Sequence, residues 1–440
     1  MSDFRPRKLL CAQGVFTLAF FYSLSVGLLV QLVILPFVLP ALDAGQGLLK
    51  GGDWIWFQQE AVQLANRIHQ EGWVVWELRP QGNAPIGIAA AAYAFTGISE
   101  PWILMPLNAG LFAVGATCLY MVFTLIASYQ LAFAATMPYV LLPSAAVIFG
   151  QIHKDVWSIA GIAMVVLVWG RFSAYRILGW KDAGIQVALI LTGVLLVWLV
   201  RPYLVQVVLV TSILTVFVVA STGLTRRDHA KNSSQWWFGV ILSIVLPLAF
   251  MQSLSGIEVL RVSGGVEPIA WHHTELIPRP VDNALSQFAE RRRAFTEGYP
   301  HAGSNVDTEV EFHSAIDLAR YIPRALQIAL FAPFPDMWGG GGASPGAEHM
   351  RLVAGIETTF TYFLLPGVLM VFMRREIRCT TAVALIQTTI PIVILALVVS
   401  NVGTLYRMRY AYLQLLNGLG LIGWVMWVQH WNIKFRRILG

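Results

Sequence analysis

The residues of this 440-residue chain that could do chemistry are few, and most of them stand where an apolar run ends. "GGDWIWFQQE" (51–60) puts Asp53 directly after the first long apolar stretch, with Glu60 two helical turns further on. "GQIHKDVWS" (150–158) offers Lys154 and Asp155, "WLVRPYLVQ" (198–206) sets Arg201 between two uncharged runs, and "NVGTLYRMRYAY" (401–412) offers Arg407 and Arg409. A carboxylate can take the proton of an attacking hydroxyl. Arginine forks and a lysine hold phosphate oxygens through charge-assisted hydrogen bonds and stabilise charge as it develops on a leaving phosphate. An arginine at mid-membrane costs about 2.5–3.5 kcal/mol on insertion scales, whereas near the interface its long side chain snorkels. Taken singly, each group reads equally well as a snorkelling end or a structural ion pair. Their convergence on one membrane face argues for an anion site with a base beside it.

The elements that must position them are membrane spans. The chain is 57% hydrophobic and 12% charged, its mean hydropathy is +0.64, and soluble domains carry roughly 25% charged residues. Apolar runs of about 20 residues, enough to cross the hydrocarbon, predict about ten spans, near 15–42, 103–126, 129–149, 157–172, 184–200, 203–222, 235–254, 355–373, 380–400 and 410–429. The first run follows Arg5, Arg7 and Lys8 but is too long for a signal-peptide core, so it reads as an uncleaved span with a cytoplasmic N-terminus. Arg171, Arg176 and Lys181, then Arg226, Arg227 and Lys231, then Arg374, Arg375 and Arg378, and finally Lys434, Arg436 and Arg437 then all fall inside, as the positive-inside rule asks. The expectation is an all-α polytopic protein of the plasma (inner) membrane, one transmembrane domain over 1–440, both termini cytoplasmic. The net charge of +6 sits in short clusters between spans, so no nucleic-acid partner is expected. Cys11, Cys118 and Cys379 are too far apart to suggest a disulfide framework or metal ligands.

This topology leaves two long extracytoplasmic loops, 43–102 and 255–352. In the first, Phe57, Ala61, Leu64, Ala65 and Ile68 make one stripe of an amphipathic helix. Trp54, Trp56, Trp73 and Trp76 suit headgroup level, and 83–97 is apolar but too short to span. The late loop holds "ERRRAF" and "LARYIPRALQIALFAPFPDMW", from which Arg292 and Arg324 are taken as acceptor or gate residues. It also holds His272, His273, His301, His313 and His349, whose spacing gives no metal site. The run Gly339–Gly342 reads as a linker or hinge.

The order of these features resembles the C-type (GT-C) polyprenyl-phosphate-dependent glycosyltransferases of the protein O-mannosyltransferase and aminoarabinose-transferase kind. "GGDWIWFQQEAVQLAN" looks like their acidic first outer loop and maps the catalytic base onto Asp53. "GNAPIGIAAAAYAFTG" is similar to the juxtamembrane helix that follows, with the usual proline-tyrosine-proline run reduced to Pro85 and Tyr93. "LLPSAAVIFGQIHKD" looks like the third span and its polar lip, and "GTLYRMRYAYL" resembles the arginine-tyrosine turn before the last spans. The large C-terminal soluble domain of some members is absent, and the length is that of GT-C-like proteins from bacterial exopolysaccharide or O-antigen clusters. The resemblance implies sugar transfer from a polyprenyl-phosphate-linked donor to a glycan, lipid or protein acceptor. Lys154, Arg201, Arg407 and Arg409 would hold the donor phosphate. Asp155 and Glu60 are candidates for a second acid or a metal ligand. A monophosphate donor requires no cofactor; Mg²⁺ or Mn²⁺ is the alternative that accompanies diphosphate donors in some members. Two readings compete: a polymerase of lipid-linked repeats, and a lipid-linked-glycan flippase, whose ionisable groups would lie nearer the midplane of paired half-repeats.

Overall fold

The computed structural model describes residues 11–174, 179–225, 234–254, 269–298, 300, 302–339 and 347–439. Arg5, Arg7, Lys8, Arg176, Arg226, Arg227, Lys231, His301 and Gly340–Gly342 lie outside them, as do the side chains of Lys434, Arg436 and Arg437. The described residues are helical, without a β-strand. In chain order they form α1 (Ala12–Leu29, continued by a π-helix Val30–Val38), α2 (Trp54–Glu71), α3 (Ala84–Thr96), α4 (Met105–Phe123), α5 (Tyr129–Leu141) and α6 (Ser144–Phe149). Then follow α7 (Asp155–Ser173), α8 (Trp180–Val200), α9 (Pro202–Thr225), α10 (Ser234–Leu254), α11 (Arg279–Gly298), α12 (Ala315–Phe331), α13 (Ala347–Phe372), α14 (Arg378–Val398), α15 (Val402–Met408) and α16 (Tyr410–Leu439).

Among the described residues, eight stretches are long and apolar enough to cross a membrane: Ala12–Val38, Pro101–Phe123, Asp155–Ser173, Trp180–Val200, Pro202–Ser221, Glu348–Phe372, Arg378–Val398 and Tyr410–His430. The protein is therefore an all-α, multi-pass membrane protein. The run expected as one span over 129–149 is two helices. Leu142 precedes Pro143 and is pushed into extended backbone (φ −63°, ψ 135°), which divides α5 from α6. The two pieces still run the length of α4. Ser128 caps α5 beside the C-terminal end of α4, and Asn108, near the other end of α4, donates to the carbonyls of Phe149 and Gln151, each at 3.0 Å. The run expected at 235–254 is α10, a helix of 21 residues over Ser234–Leu254.

Small and polar side chains join the spans, as they must where lipid supplies no hydrophobic drive between helices. Glycines of α13 and α16 bring two backbones together: a Cβ on Gly423 would stand 1.8 Å from the Gly367 carbonyl oxygen, and one on Gly420 2.2 Å from that of Leu364. Gln387 of α14 accepts from Thr211 Oγ1 at 3.2 Å and donates to Thr215 Oγ1 at 2.9 Å, tying α14 to α9. The Trp169 indole of α7 donates to Ser212 Oγ of α9 at 2.9 Å.

The expected amphipathic stripe of α2 is the buried one: Phe57, Ala61, Leu64, Ala65 and Ile68 pack with Trp54 against Ile86, Ala89, Ala90 and Tyr93 of α3. Gln58 fixes the pair, accepting from Tyr93 Oη at 2.5 Å and donating to the Ser99 carbonyl at 2.8 Å. The two helices roof the point where α1 ends. On the far side, α12 packs against α14 by Leu318, Ala325 and Ile328, and α11 buries Ala289 and Arg292 beside it.

Candidate functional site

A cavity of about 1800 Å³ opens beneath this roof, between the end of α1, the α8–α9 turn, α11, α13 and α15. Its wall is mostly apolar, with Val30, Ile34, Leu35 and Leu39 along one part, and polar groups gather in another. Four residues far apart in sequence meet there: Asp53, Lys154, Arg201 and Arg407.

Each has a local reason for its place. Asp53 immediately precedes α2 but is already helical (φ −62°, ψ −22°), and its carboxylate makes no capping bond. An aspartate at that position ordinarily caps the helix; this one is exposed on the cavity wall. Arg201 interrupts α8 and α9 because Pro202 forbids α geometry at the residue before it; Arg201 adopts φ −146°, ψ 70°. Lys154 and His153 lie on the buried connection Gly150–Lys154. Gln31 Nε2 of the first span donates to the Gly150 carbonyl at 2.7 Å, and Gln151 Oε1 accepts from the Leu49 N–H at 3.1 Å. Gly47 allows this approach, since a Cβ there would lie 2.2 Å from the Gln31 carbonyl oxygen.

The cations are joined by a buried chain. Arg407 Nη1 contacts His153 Nε2 at 2.7 Å. A guanidinium only donates, so Nε2 is the acceptor and the imidazole proton sits on Nδ1, 2.9 Å from Asp155 Oδ2. Asp155 Oδ1 in turn takes Arg201 Nη2. Burial holds the His153 imidazole below its usual pKa, consistent with this neutral tautomer. The Trp54 ring lies 5.3 Å from the His153 ring and 5.6 Å beneath the Arg407 guanidinium, so α2 braces the same chain. Lys154 packs over Phe57 at 5.4 Å. Burial, then repulsion from Arg201, lowers its ammonium pKa to about 8.

The structure puts the other expected residues elsewhere. Arg409 is fully buried and donates to the carbonyls of Ile328, Ala329 and Ala332, satisfying the open C-terminal end of α12 rather than a phosphate. Arg292 is buried and donates to the carbonyls of Val310, Leu397 and Asp307, so it ties the late loop to α14. Arg324 grips Asp307 with two bonds, of 2.8 and 3.0 Å, outside the cavity lining. Glu60 is off the lining and accepts from Gln81 at 3.4 Å. Asp155 is buried off the cavity lining, with Oδ1 paired to Arg201 and Oδ2 2.9 Å from His153 Nδ1. Asp53 is then the one carboxylate lining the cavity among the described residues.

Sequence reasoning passed over three cavity arginines. Arg79 lies 5.0 Å over the Trp198 ring, with its Nε buried and unpartnered. Arg291 lies 6.0 Å over Tyr203, and Arg351 donates to the Gly303 carbonyl at 2.7 Å. The signal for Arg291 was helical phase. Ala284, Gln287, Phe288, Arg291, Ala294 and Phe295 line the cavity as one stripe of α11, and Arg292 is one residue off it. No family model, curated protein or solved structure matches the chain.

Proposed function

We propose that this protein is a membrane glycosyltransferase that moves a sugar from a polyprenyl-phosphate-linked donor to an acceptor hydroxyl on the extracytoplasmic face of the plasma membrane. In this reading the fold is GT-C-like, the α5–α6 pair and α10 complete ten crossings, and both termini are cytoplasmic. The acceptor is a glycan, a lipid or a protein.

The observation that carries the reading is the uncapped Asp53 carboxylate on the wall of a mostly apolar cavity with Lys154, Arg201 and Arg407. Asp53 accepts the proton of the acceptor hydroxyl as its oxygen bonds to the anomeric carbon. The bond from that carbon to the donor phosphate oxygen breaks, and the electron pair leaves with the lipid phosphate. Lys154, Arg201 and Arg407 stabilise the charge that accumulates there, and the His153–Asp155 chain fixes the two arginines before substrate arrives. The lipid chain lies along Val30, Ile34 and Leu35. Polymerisation of lipid-linked repeats would use the same step with a second lipid-linked glycan as acceptor. A flippase reading has less support, because the ionisable groups that meet in the cavity stand at the ends of spans and in the connections between them.

The test is sugar release from radiolabelled polyprenyl-linked donors by the purified protein. Asp53→Asn is expected to lower turnover about 10²–10⁴-fold, the usual worth of a positioned base, while donor binding persists. Undiminished turnover in the variant would remove Asp53 from the chemistry.

A further inference from the structure

The charge on the cavity wall is larger than one phosphate diester needs. Seven cations line it: Lys50, Arg79, Lys154, Arg201, Arg291, Arg351 and Arg407. Two carboxylates stand against them, Asp53 on the wall and Asp155 behind it, paired to Arg201. His153 is neutral, so the cations are in excess, and four of them, Arg79, Lys154, Arg201 and Arg291, form one strip. They are contiguous rather than scattered. Lys154 feels the fields of Arg201, Asp53 and Arg79. Tyr203 bridges the next interval, accepting from Arg201 Nη1 at 3.3 Å and carrying Arg291 over its ring at 6.0 Å. Arg79 and Arg291 have no ion pair of their own among the described residues and rest on aromatic faces, Trp198 and Tyr203. The Arg79 Nε is buried without an acceptor. Guanidiniums held this way keep their forks free for phosphate oxygens.

We propose that this strip, Arg79–Lys154–Arg201–Tyr203–Arg291, is built for a lipid-linked diphosphate rather than a monophosphate. The inference rests on the transferase reading and names its donor class. A phosphate diester brings one negative charge and its departing lipid monophosphate two. A diphosphate diester brings two and departs with three, which answers more of the excess. Lys154 and Arg201 take the phosphate bonded to the sugar, next to Asp53, and Arg291 takes the phosphate bonded to the lipid. Repulsion within the strip, which with burial depresses the Lys154 ammonium, is relieved when such an anion enters.

The experiment measures binding of farnesyl phosphate, farnesyl diphosphate and inorganic diphosphate to the purified full chain in nanodiscs, apart from any turnover. Farnesyl diphosphate is expected to bind about ten- to a hundredfold more tightly than farnesyl phosphate, the worth of an added charge-assisted contact, and more tightly than inorganic diphosphate. Arg291→Gln should bring the two lipids close to parity, and Arg291→Lys should retain the preference. Equal affinity of the wild type for the two lipids overturns the assignment and needs no variant. A preference that survives both Arg291→Gln and Arg79→Gln overturns the strip as its source. Inorganic diphosphate binding as tightly as the lipid form overturns the lipid-linked part. Transfer from a monophosphate donor without a diphosphate preference would sink this inference and leave the transferase standing. A diphosphate preference with no transfer from any donor would do the reverse.

Discussion

At the scale of single residues, the position of Lys154 makes the reaction depend on pH in a stated direction. Its ammonium is charged well below about 8 and loses its proton as pH rises through that value. Its attraction for an anion is therefore complete at low pH and lost above about 8, and the dependence of kcat/KM on pH reports this free-enzyme group. We expect kcat/KM for the donor to decline above about pH 8 in wild type, and Lys154→Arg, which stays charged, to move that decline upward; an unmoved decline would assign it to another group. What the sequence made legible here were charges beside the ends of apolar runs: Asp53, Lys154, Arg201 and Arg407 meet in one cavity. What it hid was pairing. Nothing in "YRMRYAY" says which arginine faces a phosphate and which satisfies carbonyls at the end of α12, because that depends on a helix 80 residues away. His153 stood beside Lys154 in "GQIHKDVWS", yet its role follows only from Arg407, 254 positions later.

At the scale of elements, helical phase decides which arginine of α11 does what. Arg292 donates to three carbonyls of the outer loop and α14, so Arg292→Met should lower stability in detergent by about 3 kcal/mol or more through unpaired buried carbonyls. Arg291→Gln should leave thermal stability within about 0.5 kcal/mol of wild type, as for substitutions away from buried networks. Thermal unfolding of the two variants checks both; equal losses would contradict the assignment of faces. The α13–α16 contact gives a second prediction. Gly423→Leu places a side chain where a Cβ already meets the Gly367 carbonyl, and overpacking of this kind costs about 1–3 kcal/mol. A variant as stable as wild type would mean that the two helices can separate freely. The amphipathic stripe of α2 and the extent of α3 could be read directly, because period and composition agree there. The break at Leu142–Pro143 could not be read from hydropathy, because a window sums apolarity and is blind to one proline-imposed extended residue.

At the scale of the whole molecule, the account sets the cavity on the side of the membrane opposite the basic turn Arg374–Arg378. In a cysteine-free background, Ser304→Cys on the cavity wall should react with a membrane-impermeant maleimide added to intact cells, and Glu376→Cys only after permeabilisation. The reverse pattern would invert the topology and remove the cavity from the extracytoplasmic face. The fold class was legible because membrane spans announce themselves by length and apolarity. The cavity was not, because it is assembled from connections between spans whose sequence positions reach from Val30 to Met408. The central claim is that Asp53 is the base of a sugar transfer driven against a cationic wall. The measurement that meets it most directly is single-turnover transfer from labelled polyprenyl monophosphate and diphosphate donors, comparing wild type with Asp53→Asn at matched donor occupancy. The account predicts transfer by the wild type and a rate about 10²–10⁴-fold lower in the variant with the donor still bound; equal rates in the two proteins, or lipid translocation without any sugar transfer, would contradict it.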